Sequence, residues 1–299
     1  MTTSPKSADI AVLQGEGKPN IVIRDLKTVD EIQMIEAVEK EVWSLSDRDV
    51  SPVTLLVASR SAGAMLLGAF DGDSLVGFAY GFPAYELGHV SVHSHMLAVL
   101  PGYRDLDLGY KLKLAQRDRA LAVGLKQMTW TFDPLQSRNA HFNFAKVGVV
   151  SDRYEVDFYG HQSSSALHQN GTDRLWVTWH MASERVRKRL QVPAPALEPM
   201  PSISPLVRFD VNGSPVRGDL DQAFIRQRIA IEIPGDIVVI ENQSPALARE
   251  WRQSTRWAFT ESLKAGYFVT DYYRSVRGQQ GPGVYLLQSG QIADLIPDY

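Results

Sequence analysis

Apolar positions along the chain switch between two periods, and the switches predict the elements. Ile21-Val22-Ile23-Arg24 reads as a short strand. Thr28 followed three residues later by Glu31 forms a capping box, and Ile32, Ile35, Val38 and Val42 then recur at helical spacing, which places them on one buried face. Ser51-Pro52 breaks that pattern. Met65 to Phe70 and Leu75 to Tyr85 flank Asp71-Gly72-Asp73 as the two arms of a hairpin, and His89 to Leu100 supplies a third strand. A turn around Pro101 leads into a long helix that ends near Gly124. Met128 to Phe132 is a strand stopped by Asp133-Pro134, followed by a helix from Ser137 to Val147 and then Gly148. Arg153 to Tyr159 and Arg174 to Met181 read as two more strands; in the second, Leu175, Val177 and Trp179 alternate with Thr178 and His180.

Five prolines within residues 192–205 predict a stiff, extended connection, and a domain boundary is expected there. Beyond it, 230–233 and 237–240 read as strands around Pro234-Gly235-Asp236, 245–264 as a helix, and 267–274 and 284–287 as strands. The predicted organisation is a flexible tail over 1–20, a main domain over 21–190, a Pro-rich linker over 191–206, and a C-terminal α+β lobe over 207–299. The lobe echoes the end of the main domain. Met128 to Met181 runs strand, proline turn, helix, Lys146-Val147-Gly148, two strands; Ala230 to Leu287 repeats the order with Lys264-Ala265-Gly266. A degenerate half-copy and an unrelated α+β lobe both fit that pattern.

Composition narrows the function classes. The 299 residues are 44% hydrophobic, ample for a buried core, and the net charge of −3 offers no bulk attraction to nucleic acid or an anionic membrane. There is no cysteine, hence no disulfide, thiolate metal site or cysteine nucleophile. No apolar run approaches a membrane span, and the start lacks the regions of a signal peptide, so a soluble cytoplasmic protein is expected. Gly15-Glu16-Gly17-Lys18 lacks both the Ser/Thr after lysine and the preceding strand of a phosphate loop.

The stretch 89–124 carries the most specific signal. A helix start offers backbone N–H groups and the positive end of a dipole, a natural seat for phosphate. With its preceding strand, the stretch resembles the acyl-CoA-binding motif of the GNAT acyltransferase superfamily, V-x-P-x-Y-R-x-x-G-x-G/A. Val99, Pro101, Tyr103, Arg104 and Gly109 fit in order, while Asp107 stands at the first glycine. The order of elements over about 21–183 is also that of the family. The resemblance implies an α/β (α+β) GNAT fold, with a central mixed, mostly antiparallel sheet flanked by helices. It implies an N-acyltransferase using acetyl-CoA or succinyl-CoA as co-substrate, with a small-molecule amine, such as an amino acid, as acceptor. Leu97, Ala98 and Val99 would pair with the pantetheine arm, and Arg104, Asp105, Leu106, Asp107, Leu108, Gly109 and Tyr110 would cradle the diphosphate, with Lys111 and Arg117 adding charge. Asp107 and Asp105 oppose an anion there, although Asp reaches left-handed backbone better than most residues.

Amine attack on a thioester needs a base, oxyanion donors and an acid. His89, His93 and His95 alternate with Val90, Val92 and Ser94, so they share a strand face with Ser91. His93, His95 and Glu86 are candidate bases; packing of the histidines between sheet and helix is the competing role. No metal is expected, since no other ligand cluster accompanies them. Many family members have a tyrosine four residues before the glycine ending the last motif helix; here it is Phe144, which leaves Tyr154, Tyr159 or water as the acid. Asn139 and Asn143, one helical turn apart, are expected to face the coenzyme. The string W-T-F-D-P-L-x-S-x-N-A-x-x-N from Trp130 resembles a GNAT subgroup that N-succinylates D-amino acids, for which Arg138 and Arg174 would hold a substrate carboxylate. A non-catalytic GNAT-fold binding or scaffold protein with a weakened CoA site is the alternative. The proline-rich linker also admits a homodimer, in which the lobe packs on a neighbouring subunit.

Overall fold

The computed structural model describes residues 10–12, 19–86, 88–160, 170–191, 200–274 and 281–297. Two compact units divide the chain, one within Met1–Met128 and one beginning at Thr129. The division falls at a different place from the proline-rich stretch, of which 192–199 lie outside the described residues, as do 1–9 and 13–18 of the expected tail.

The first unit contains β1 (Ile10–Val12), β2 (Ile21–Asp25), α1 (Val29–Trp43), α2 (Val53–Ser61), β3 (Met65–Asp71), β4 (Ser74–Glu86), β5 (His89–Val99), a 3-10 turn (Pro101–Leu106) and α3 (Leu108–Ala122). Its strands pair antiparallel in the order β1-β2-β3-β4-β5. The capping box at α1 is present: Glu31 N–H donates to Thr28 Oγ1 at 3.1 Å, and the Glu31 carboxylate accepts from Thr28 N–H. Ile32, Ile35 and Val38 of α1 and Leu56 of α2 pack with Leu66, Phe70, Phe78 and Tyr80 on one sheet face. Leu108, Leu112 and Ala115 of α3 pack with Ile21, Ile23, Leu67, Ala69, Val76 and Ala79 on the other. Each fully buried aliphatic side chain contributes about 1.5–3 kcal/mol. Burial on both faces explains why 66–70 of β3 is apolar throughout, without alternation. The helix α2 escaped the sequence pattern because only Leu56 in it is buried, so it shows no period.

The second unit contains β6 (Gln127–Phe132), α4 (Ser137–Ala140) continuing as a π-helical segment (His141–Val147), β7 (Val150–Glu155), β8 (Arg174–His180), α5 (Glu184–Arg189), β9 (Val207–Phe209), β10 (Pro215–Arg217), α6 (Leu220–Phe224), β11 (Arg228–Ile233), α7 (Ile237–Gln243), α8 (Pro245–Lys264), β12 (Tyr267–Tyr273), β13 (Gly283–Ser289) and α9 (Ile292–Leu295). The strand order is β6-β8-β7-β12-β13-β11-β9-β10, with β9 parallel to β11. Each unit is thus a sheet flanked by helices, mixed in the second unit and mostly antiparallel overall, the fold class expected from the sequence.

Within this sheet, β6-β8-β7 and β11-β13-β12 have the same internal order and meet back to back. The junction pairs β7 with β12 antiparallel at Ser151 and Val269, each three residues past its helix-ending glycine. Those glycines, Gly148 and Gly266, both adopt left-handed backbone with φ of 80° and 83°. An approximate two-fold repeat of the strand-helix-strand-strand unit is therefore built into the second unit, matching the sequence echo. One expected strand is corrected: 237–240 belongs to α7. Asp236 accepts from Val238 N–H at 3.0 Å and Val239 N–H at 3.4 Å, and this N-cap overrides the β-branched run Ile237-Val238-Val239-Ile240.

Candidate functional site

The first unit concentrates unusual chemistry on β4, β5 and the start of α3. β4 and β5 pair from Glu86 and His89 to Gly77 and Val99, and the register slips between Tyr80 and Gly81, which oppose Met96 and Ser94. His95 is the extra residue of this β-bulge, and a bulged residue drops out of the regular ladder. Gly81 marks the place: a Cβ there would lie 2.6 Å from Gln116 Nε2.

The bulge keeps His93 and His95 on one face, their ring centroids 6.3 Å apart. Phe82 stands 5.4 Å from the His93 ring and 5.8 Å from the His95 ring, and Tyr80 lies 6.1 Å from His95. Glu86 Oε1 is 3.9 Å from His93 Nδ1, an ion-pair separation too long for a direct hydrogen bond. His93 is 8% exposed, whereas His95 keeps an exposed edge. Desolvation by its surroundings pulls the His95 pKa below the ordinary imidazole value, which favours the neutral ring. His89 sits at the exposed start of β5, opposite Glu86.

Toward α3 the strand presents the opposite character. Buried Ser94 accepts from Lys113 Nζ at 2.7 Å and donates to Gln116 Oε1 at 2.7 Å. Burial depresses the Lys113 ammonium to a pKa of about 7. Sequence reasoning missed this network because Lys113 and Gln116 look like ordinary solvent-facing helix residues; Gly81, an isolated glycine in a strand, was the available signal.

After β5, Tyr103 donates its hydroxyl to Asp71 Oδ2 at 2.9 Å, which ties the 3-10 turn to the β3–β4 hairpin. The Arg104 guanidinium donates to Val99 O at 3.4 Å, so Arg104 braces the strand end. Asp105 and Leu106 continue the turn. Asp107 adopts a left-handed backbone, with φ 54° and ψ 23°. The Lys111 N–H donates to Asp107 O at 3.0 Å, the first bond of the α3 ladder, and the Asp107 side chain does not cap the amides before it. The amides of Leu108 and Gly109 begin the helix. Burial and the Asp107 charge both raise the Tyr110 pKa. A Cβ on Gly109 would only touch Leu97 at 3.5 Å, so the position is open. On the β4 side, Leu97, Ala98 and Val99 are paired with Ala79, Phe78 and Gly77.

The remaining expected site residues belong to the second unit and are not gathered into one constellation. Asn143 is buried and accepts from Trp130 Nε1–H at 3.2 Å, whereas Asn139 is exposed on α4. Tyr154 donates to Asp173 Oδ2 at 2.6 Å, and burial with the Asp173 charge raises its pKa well above the ordinary phenol value. That hydroxyl is committed to a carboxylate which also accepts from Arg256. Arg138 is exposed, and buried Arg174 donates to Asp173 O at 2.9 Å. Phe144 is fully buried and packs edge-on against Tyr285. Among the described residues no cluster of three metal-ligating side chains occurs, and no helix is long and apolar enough to cross a membrane.

No family model matches the chain, and no curated protein matches it. Among solved structures, similarity extends to a GNAT family acetyltransferase from Elizabethkingia anophelis with acetyl-CoA bound, at 15% identity and TM-score 0.41, covering 55% of this chain and 99% of the other. An acetyltransferase of the GNAT family from Streptococcus pneumoniae matches at 14% identity and TM-score 0.43, over 53% of this chain and 98% of the other. Similarity of this degree says nothing about activity, substrate or site residues.

Proposed function

We propose that the chain is a GNAT-type, CoA-dependent N-acyltransferase acting on a small-molecule amine. The observation that carries the reading is the start of α3. Asp107 takes the left-handed backbone the turn requires, and the amides of Leu108 and Gly109 open a 15-residue helix that the Asp107 side chain does not cap. Those amides and the helix dipole suit a diphosphate. The acyl-CoA supplies the thioester carbonyl to be attacked.

This chain's residues then have the following roles. His93, with Glu86 on its Nδ1 side, takes the proton that the attacking ammonium must lose; His95, held toward its neutral form, is the second candidate base. Tyr154, already bonded to Asp173, is poorly placed to give a proton away, so the proton taken up by His93 passes through water to the leaving thiolate. Whether acetyl or succinyl is carried, and whether the acceptor is an amino acid held by Arg138 or Arg174, belong to the same proposal as finer alternatives.

Thermal unfolding with acetyl-CoA or succinyl-CoA tests the reading. Ligand at 100 times its dissociation constant adds about 2.7 kcal/mol of stability. A shift with either, followed by acceptor-dependent thiol release that His93→Ala abolishes, is the expected result. No shift with either coenzyme contradicts it.

A further inference from the structure

Several strands of the second unit end together. β13 runs antiparallel to both β11 and β12, with Gly283 opposite Ile233 and Val284 opposite Tyr273, and β9 runs parallel to β11. The carboxyl ends of β9, β11 and β12 and the start of β13 therefore lie at one end of the sheet, where open sheets flanked by helices take ligands. A recess of about 880 Å³ opens there, within the roughly 300–1,000 Å³ of small-molecule sites. Arg208 of β9 and Arg274, just after β12, both line it and are exposed, and neither guanidinium has a hydrogen-bond or ion-pair partner among the described residues. By contrast, Arg252 and Arg256 of α8 are committed to Asp133 and Asp173.

Two aspartates share the lining, each turned to backbone. Asp210 Oδ1 accepts from Asn212 N–H and Ser214 N–H, both at 2.8 Å, and Asp236 Oδ1 caps α7. They cancel the net charge of the arginines, so the recess exerts little long-range pull on a polyanion. What the arginines offer is geometry, donor forks that match a carboxylate. Ser137, at the start of α4 and 5% exposed, adds a third donor. Tyr272 donates its hydroxyl to Ser137 Oγ at 2.8 Å, which leaves the serine's own proton uncommitted among the described residues. Burial raises the Tyr272 pKa, so the phenol keeps its proton, and the ring is seated over Gly283, where any Cβ would collide with its hydroxyl. The rest of the wall is apolar. Phe209 is fixed against Trp251 with ring centroids 4.3 Å apart, and Val239 of α7, 47% exposed, presents surface that a ligand body would remove from water.

We infer that this recess is a binding site for a monocarboxylate with an apolar body, the carboxylate held by Arg208, Arg274 and Ser137 and the body lying against Phe209 and Val239. The site lies wholly within the second unit and uses none of the residues assigned to acyl transfer, so it does not rest on that reading.

4-Phenylbutyrate is the probe, with 4-phenylbutyramide as its neutral isostere and acetate as a carboxylate without the body. Each is titrated calorimetrically into the full chain in the absence of coenzyme. Phenylbutyrate is expected to bind saturably at one site, and the amide and acetate at least about 10-fold more weakly. Arg208→Gln and Arg274→Gln should each weaken phenylbutyrate about 10-fold, and Ser137→Ala about 2- to 10-fold. Arg226→Gln, which changes an exposed arginine outside the recess, should leave the affinity as it is. Absence of phenylbutyrate binding, equal affinity for the amide or for acetate, or the same affinity in Arg208→Gln as in Arg226→Gln overturns the inference. The arginine variants alter exposed side chains only, so misfolding does not stand in for lost binding. Failure of coenzyme binding leaves this result untouched, so the two proposals fail separately.

Discussion

The first unit flanks its sheet with two helices of 15 residues, α1 and α3, whose starts are opposites. Thr28 and Glu31 close the start of α1 with reciprocal hydrogen bonds, and Arg24 holds Glu31 in place at 2.8 Å, its carboxyl driven to a pKa of about 2. The start of α3 follows a left-handed aspartate whose side chain makes no capping bond. The orphan amides of a helix must be satisfied somewhere; Thr28 satisfies one of them in α1, and the Asp107 side chain does not do so in α3. Each helix also buries one ionisable residue held by a serine. Glu39 of α1 accepts from Ser51 Oγ at 2.7 Å and is raised in pKa by burial, and Lys113 of α3 donates to Ser94. In α1 the chain has spent its polar groups on stability. In α3 it has given stability up.

Substitutions sharpen that contrast. The largest effect is expected from Gly109→Glu, which sets a carboxylate among the open amides while a Cβ there meets only Leu97. Acyl-CoA binding should fall at least about 100-fold, since like charges at contact distance repel by several kcal/mol, with the unfolding temperature of the free protein nearly unchanged. An equal loss of stability would mean that the turn, and not the ligand, needs the glycine.

Lys113→Met comes next. The folded-state pKa of about 7 lies below the ordinary 10.5, so the unfolded chain binds the extra proton between those values. Stability therefore rises as pH rises across that window, and the penalty is fully present below about 7. Methionine removes it, for a gain of a few kcal/mol at neutral pH that shrinks toward pH 10. Denaturant midpoints at two pH values check this; no gain at pH 7 would show that Lys113 is worth its burial. Glu39 has the opposite sign, its contribution weakening as pH climbs above the ordinary carboxyl range. Thr28→Ala should cost about 1 kcal/mol by opening α1 while coenzyme affinity stays constant. Asp107→Asn is the smallest: it keeps access to left-handed backbone, removes the charge, and should tighten acyl-CoA about 3-fold, roughly 0.65 kcal/mol.

Much of this was legible in the sequence, for identifiable reasons. The capping box, the β3–β4 hairpin and the strand-turn-helix around Pro101 depend on contacts within a few residues. The repeat was readable because its helix-ending glycines recur after lysine. Other features depended on distant partners. The Ser94–Lys113–Gln116 network needs α3 to lie over a strand glycine. The π-helical segment from His141 to Val147 leaves no mark in composition. Tyr154 looked like a free acid until Asp173, 19 residues away, took its hydroxyl. The strand expected at 237–240 failed because a local cap at Asp236 outweighed β-branched propensity.

The central claim is that the open start of α3 seats a diphosphate. Calorimetric titration of CoA and of pantetheine, which lacks the diphosphate, into the wild type and into Gly109→Glu tests it most directly. CoA should bind the wild type far more tightly than pantetheine does, and the gap should close in Gly109→Glu. Equal affinity of the two ligands for the wild type, or no CoA binding at all, would contradict it.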